Sequence, residues 1–373
     1  MRKIELFSDT FAIILLLAFF TMQLPMTIAA SYMVVLVFMI FKWRGLNIRF
    51  DHFAFVLVCL LFLAVPPLTL NHGLTPFFYL LLSPILLFFA YSFAENSLIH
   101  IESVLKNVYW FFVFFTSIAL LLNWDEPEPL GAIFSWVSTN GIPSYLIVVQ
   151  IAYSISYFLK NNRLPLLSCL ATLIVAVFGL GRGSMIVAAL ILLFSILLNL
   201  YVLKSRADRT VTFRVALCLF VPLVFFIAAK SSEIDIAIST WIEGSKFSSG
   251  VLDEHRGRIL KDYWDKMDGF SLFFGTDYDG TSINDNYGGN PHNSFIRVHS
   301  FYGMFAFISV FLPLLFVLIS GKKLRQKVVF LVLVMLALLR AVSEPIFFPS
   351  TLDFFYFLYF FIFFKHSQSI KNG

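Results

Sequence analysis

The sequence predicts an all-α polytopic membrane protein with about 12 transmembrane helices, both termini cytoplasmic, and one long external loop. Three observations carry that reading. The mean hydropathy is +0.86. Hydrophobic residues make up 59% of the 373 positions and charged residues 13%, against about 25% charge in a soluble domain. Apolar runs recur from one end of the chain to the other, so 1–373 is read as a single membrane domain.

A spanning helix needs about 20 apolar residues. Spans are expected near 8–24, 28–41, 52–67, 75–93, 105–122, 142–159, 164–180, 184–203, 212–229, 293–319, 327–342 and 350–364. The first run lacks a small-x-small cleavage site before Pro25 and more spans follow at once, so it reads as a retained helix and not a signal peptide. Of the 27 basic residues, 18 fall in the segments that this alternation places inside, among them Lys42, Arg44, Lys160, Arg206, Lys322 and Lys365. The short outward loops around Pro25 and at 68–74, 123–141 and 343–349 hold none. That is the positive-inside pattern. The net charge of +5 is dispersed over these short loops and does not form a nucleic-acid surface. Cys59, Cys169 and Cys218 lie inside apolar runs, which excludes a disulfide framework. The 47 Phe residues read first as lipid-facing filling.

The other nine basic residues, Arg182, Lys230, Lys246, Arg256, Arg258, Lys261, Lys266, Arg297 and Arg340, fall on the outer side or at its edge and break the inside rule. The long external loop, 231–292, contains Glu254–Met267, "EHRGRILKDYWDKM". Ile259, Leu260, Tyr263, Trp264 and Met267 share one helical face there. Arg258, Lys261, Asp262 and Asp265 take the other, as in an amphipathic helix lying in the membrane interface. The bland alternative is a helix whose arginines only touch lipid phosphates.

Within "FGLGRGSMIV", Gly179, Gly181 and Gly183 interrupt an apolar run at the outer surface, with Arg182 between them. The next helix starts there. Its free N–H groups and an arginine make an anion site suited to phosphate; a tight turn with a snorkelling arginine is the alternative. The helix near 293 also starts outside, with Asn293 or Ser294 as N-cap. His292 stands at its mouth, either as a general base kept neutral by the helix N-terminus or as an interfacial histidine without a task. Arg297 and His299 follow within the first turns, as snorkelling groups or as partners of Glu344 or Asp353.

Arg182, Arg258 and His292 therefore converge on the outer side. That side offers no nucleotide substrates, so an enzyme there needs an activated, membrane-held donor. A lipid diphosphate carrying a sugar fits: two arginines for the leaving diphosphate and a histidine to deprotonate the attacking hydroxyl.

In "GLGRGSM" at 179–185, "RGRILKDYW" at 256–264 and "PHNSFIRVHSFYGMFAF" at 291–307, the chain resembles the O-antigen polymerase and O-antigen ligase superfamily of bacterial inner membranes. The resemblance covers 165–320 by motif and the whole chain by topology. It implies a metal-independent C-type glycosyltransferase without a cofactor, multi-pass in the cytoplasmic membrane with its active site facing the periplasm. The implied donor is an oligosaccharide on undecaprenyl diphosphate. The implied product is O-antigen or capsule; a flippase and a chain-length regulator are the implied pathway partners. By position, Arg182 and Arg258 correspond to diphosphate-binding arginines, Arg256 is a second candidate for the loop arginine, and His292 corresponds to the catalytic base. Gly181, Gly183 and Asn293 support them. Arg297 and His299 depart from the apolar helix start usual in the family. Polymerisation is the favoured activity; transfer of the glycan to lipid A core, as a ligase, is the alternative.

Other classes fit less well. A transporter or flippase of lipid-linked glycan would place charge at helix centres, which are nearly free of it. A Ser184–His292 protease dyad would sit at the outer edge, where such nucleophiles are unusual. No HExxH or CxxC occurs, and in "DYDGTSINDN" Gly280 comes too early for an EF-hand loop. The loop carboxylates show no glycosidase spacing.

Overall fold

A computed structural model of the chain describes residues 2–22, 37, 62–66, 68, 72–123, 125–126, 130, 141–202 and 254–368. The expected spans at 28–41 and 212–229, most of that at 52–67, and loop residues 231–253 lie outside the described residues. The helices are α1 (Arg2–Met22), α2 (Thr75–Ala94), α3 (Leu98–Leu122), α4 (Gly141–Asn161), α5 (Leu166–Phe178), α6 (Arg182–Val202), α7 (Glu254–Asp265), α8 (Gly269–Phe274), α9 (Ser282–Tyr287), α10 (Ser294–Ile319), α11 (Leu324–Val342) and α12 (Asp353–His366). Among the described residues no strand occurs, and α2, α3, α4, α6 and α10 are long and apolar enough to cross a membrane. The molecule is thus all-helical and has the character of a multi-pass membrane protein.

Helix α4 is the axis. Of its apolar window 89% is buried inside the protein, against 33% for α10, so α10 keeps most of its surface for lipid. α1, α3, α5, α6, α11 and α12 all pack on α4. Polar side chains bond within and between helices: Gln150 Nε2 donates to Ser154 Oγ of its own helix at 2.9 Å and to Ser168 Oγ of α5 at 3.1 Å. In an apolar surround such bonds fix helix rotation where hydrophobicity cannot.

Side-chain contacts sort the helix ends into two sets. At one end Lys160 pairs with Glu102 at 2.8 Å, His100 with Asp9 at 2.8 Å, and Lys365 with Glu95. Lys322 Nζ donates to Ser367 O there at 3.0 Å. At the other end Arg340 reaches Ser144 and Ser184, and Tyr302 donates to Pro76 O at 2.9 Å. Helices α1, α3, α5 and α11 start at the lysine-rich end; α2, α4, α6, α10 and α12 start at the opposite one.

Helix α3 begins at Leu98, a full two turns before the expected 105, because Ser97 caps it by accepting from His100 N at 3.3 Å. The run 293–319 is not one straight span. Gly303 adopts φ 73° and ψ −170° inside α10, so a short segment, 294–302, precedes the lipid-facing part.

Candidate functional site

The end opposite the lysines gathers the segments singled out by sequence. The "GLGRGS" turn joins α5 to α6. Gly179 ends α5, its N–H donating to Val175 O at 3.0 Å. It is Leu180, not a glycine, that takes the left-handed backbone, at φ 52°. Gly183 is used for close approach: a Cβ there would stand 2.9 Å from Ser343 Oγ and 3.2 Å from Arg340 Nη1. Arg182 is half-buried at the first position of α6, and Gly181 is buried beside it.

Arg340, which sequence reasoning treated only as one exception to the charge rule, is the hub. It is 1% exposed. Its Nε donates to Ser144 Oγ at 3.0 Å and Ser184 Oγ at 3.1 Å, its Nη1 to Ser343 Oγ at 2.6 Å, and its Nη2 pairs with Glu344 at 3.4 Å. The starts of α4 and α6 and the end of α11 are thereby tied into one unit. Ser184 Oγ is buried in this node and not poised as a nucleophile.

The start of α10 joins the same unit. Ser294 Oγ donates to Glu344 O at 2.9 Å and accepts from Phe347 N at 3.0 Å. Asn293, not Ser294, is the N-cap, its Oδ1 accepting from Phe295 N at 2.8 Å and Ile296 N at 3.1 Å. His292 precedes it at φ 47°, a backbone conformation rare for a side chain with a Cβ. Its N–H donates to Asn290 Oδ1 at 2.9 Å, and Tyr287 meets its ring edge-on with centroids 5.2 Å apart. Non-glycine strain of this kind concentrates at functional sites.

Arg297 and His299 pair with neither Glu344 nor Asp353 through a hydrogen bond. Arg297 Nη2 donates to Pro345 O at 2.5 Å and Phe347 O at 3.0 Å. His299 is held at both ring nitrogens, by Leu272 O on Nε2 and the Tyr263 hydroxyl on Nδ1, each at 2.8 Å. That second bond docks α7 against the start of α10. The expected apolar face of α7 splits: Ile259 and Tyr263 are buried against the protein, while Leu260 and Trp264 stay 54% and 64% exposed. Arg258 is exposed on α7, and Arg256 lies two positions earlier on the helix.

The loop after α8 supplies further charge. Lys266 binds the Asp277 carboxylate and donates to Asp279 O at 2.6 Å. Burial pushes Asp277 up, but Lys266 and the Asp279 N–H outweigh it, and its carboxyl stays below the usual range. Asp262 is also held low, chiefly by the Ser282 side chain and further by the Ser282 N–H. Missed by sequence reasoning is His72, before α2, which bonds to Ser300 and Thr276; a single histidine in a short loop gives no local signal. Among the described residues no three His, Cys, Asp or Glu side chains cluster as metal ligands would.

The chemistry available at this end is that of the N-termini of α4, α6 and α10, the guanidinium groups of Arg182, Arg297 and Arg340, and the rings of His72, His292 and His299. Compared with protein-family models, curated proteins and solved structures, the chain matches none.

Proposed function

We propose that the chain is a metal-independent glycosyltransferase of a bacterial cytoplasmic membrane. It polymerises oligosaccharide repeat units carried on undecaprenyl diphosphate, for O-antigen or capsule. In this proposal about 12 helices cross the membrane, the lysine-rich end and both termini are cytoplasmic, and the opposite end faces outward. The observation that carries the reading is the meeting of the three motif segments at one end of the bundle. The starts of α6 and α10 are joined through 340–347, and α7 is joined to α10 through Tyr263 and His299. Among the described residues five helices, α2, α4, α6, α10 and α12, start at that end, which adds partial positive charge to Arg182 and Arg258.

In the proposed reaction Arg182 and Arg258, with Arg256 as a second loop arginine, hold the diphosphate. A histidine at this end takes the proton of the attacking hydroxyl; His292 is the candidate that the motif offers. The attacking oxygen bonds to the anomeric carbon and the carbon–phosphate oxygen bond breaks, its electron pair leaving with the lipid diphosphate.

The test is deletion of the gene in its host, followed by gel analysis of the surface glycan with complementation by wild type, Arg182→Ala, Arg258→Ala and His292→Ala. A single repeat unit on the lipid core identifies a polymerase. A bare core with long polymer stranded on the carrier identifies the ligase. Unchanged surface glycan in the deletion strain removes both.

A further inference from the structure

The outer end holds a second histidine that is better oriented for proton transfer than the motif alone suggests. Ser300 Oγ donates its one proton to Thr276 O at 2.5 Å. Its oxygen can therefore only accept from His72 Nε2, 2.9 Å away. Thr276 O, 3.2 Å from the same nitrogen, also accepts. Both neighbours of Nε2 are acceptors, so Nε2 carries the proton and Nδ1 carries the lone pair. The ring cannot turn freely. Phe301 lies against it with centroids 4.9 Å apart and Tyr278 meets it edge-on at 5.3 Å.

Among the described residues nothing hydrogen-bonds Nδ1, and the ring is part-exposed. His299, one residue from Ser300, cannot serve in its place because both its nitrogens are engaged. The groups facing His72 suit a base. Asp277 and Asp279 lie close enough to favour an imidazolium once formed, while Lys266 is occupied by Asp277. Burial outweighs those carboxylates and holds the imidazole below its ordinary value of 6.5, so it is neutral and ready to accept at neutral pH. A fixed tautomer, a backed nitrogen and an unengaged lone pair are the marks of an oriented general base.

We propose that His72 Nδ1 is the general base for the acceptor hydroxyl, a role that rests on the glycosyl-transfer reading above. The hydroxyl proton passes to Nδ1 as the oxygen bonds to the anomeric carbon. The bond to the diphosphate oxygen breaks with its pair, and the imidazolium then loses its proton to water. His292 in this assignment shapes the start of α10 and does not take the proton.

The experiment uses the full chain in lipid nanodiscs, with undecaprenyl-diphosphate-linked repeat units extracted from the deletion strain as donor and acceptor. His72→Gln keeps a side-chain donor toward Ser300 but has no basic nitrogen. Its kcat is expected to fall about 100-fold or more, the usual lower bound for a base. KM and the thermal midpoint should stay near wild type, and the acidic limb of the kcat–pH profile should vanish. His72→Gln within a few-fold of wild type, beside an inactive His292→Gln, returns the base to His292 and overturns the assignment. A drop in thermal midpoint that accounts for the lost turnover also overturns it, leaving His72 as a tether of 276–278. Wild-type protein that forms no polymer from these substrates defeats the glycosyl-transfer reading itself, and the His72 role with it.

Discussion

Arg340 carries a charge into a position that its apolar neighbours cannot solvate. It is tolerated because Glu344, Ser144, Ser184 and Ser343 together meet its donors. Removing one member of such a buried pair strands the other, at about 3–5 kcal/mol. Arg340→Met is therefore expected to lower the thermal midpoint in detergent sharply, and Arg340→Met combined with Glu344→Gln to recover part of the loss. If the single change melts like wild type, the node holds nothing together. No local pattern announces this node, because Ser144 and Ser184 lie 196 and 156 positions from Arg340 along the chain. At the same scale, the depressed pKa of His72 has a stability sign. The folded state binds its proton less readily than the unfolded chain, so its contribution is complete above about pH 6.5 and is lost as pH falls from there toward the folded value. Thermal midpoints measured from pH 7.5 to 5 should fall less steeply in His72→Asn than in wild type; equal slopes would show that His72 is not a source of the acid sensitivity.

Helix α8 is held on α10 by backbone as much as by side chains. A Cβ on Gly303 would stand 2.1 Å from Phe273 O, and one on Gly275 would stand 2.2 Å from His299 O. Both glycines also have positive φ, where a side chain costs about 1–2 kcal/mol before any clash. Gly303→Ala is thus expected to push α8 away, breaking the Leu272–His299 and Thr276–Ser300 bonds together. Limited proteolysis should then cut within 266–282 much faster than in wild type, while Gly280→Ala, which meets nothing within 4 Å, should not expose the segment in the same way. Equal cutting of both variants would refute the close-packing account. The elements themselves were legible to different degrees. Hydropathy located α2, α4, α6 and the start of α10, because a bilayer imposes length and composition directly. It did not reveal the break at Gly303, since a single glycine inside an apolar run has the same local composition whether it bends or packs. The α7 face was read correctly as apolar, but periodicity cannot divide that face between protein, at Ile259 and Tyr263, and the exposed positions Leu260 and Trp264.

Across the whole molecule, charge and helix direction divide along the same axis. Lys160, Lys322, Lys323, Lys327 and Lys365 gather where α2, α4, α10 and α12 end, complementing the negative ends of those helices. The opposite end collects helix starts, Arg182, Arg258 and the His72 and His292 rings. The sequence carries half of this division openly, because lysines collected in the alternate short loops are a signal that insertion itself reads. The other half depends on contacts between residues far apart in the chain, which only folding brings together. The division fixes a sidedness that is open to direct measurement. In a background with Cys59, Cys169 and Cys218 replaced, Asp279→Cys and Lys323→Cys place single thiols on exposed residues of the two ends. A membrane-impermeant maleimide added to intact spheroplasts should label position 279 and spare position 323, and labelling of 323 should appear only after lysis. Labelling of both from outside would contradict the crossing pattern. Labelling of 323 alone would invert it, placing the arginine-and-histidine end in the cytoplasm, where nucleotide-activated donors are available and the reason for a lipid-diphosphate substrate disappears.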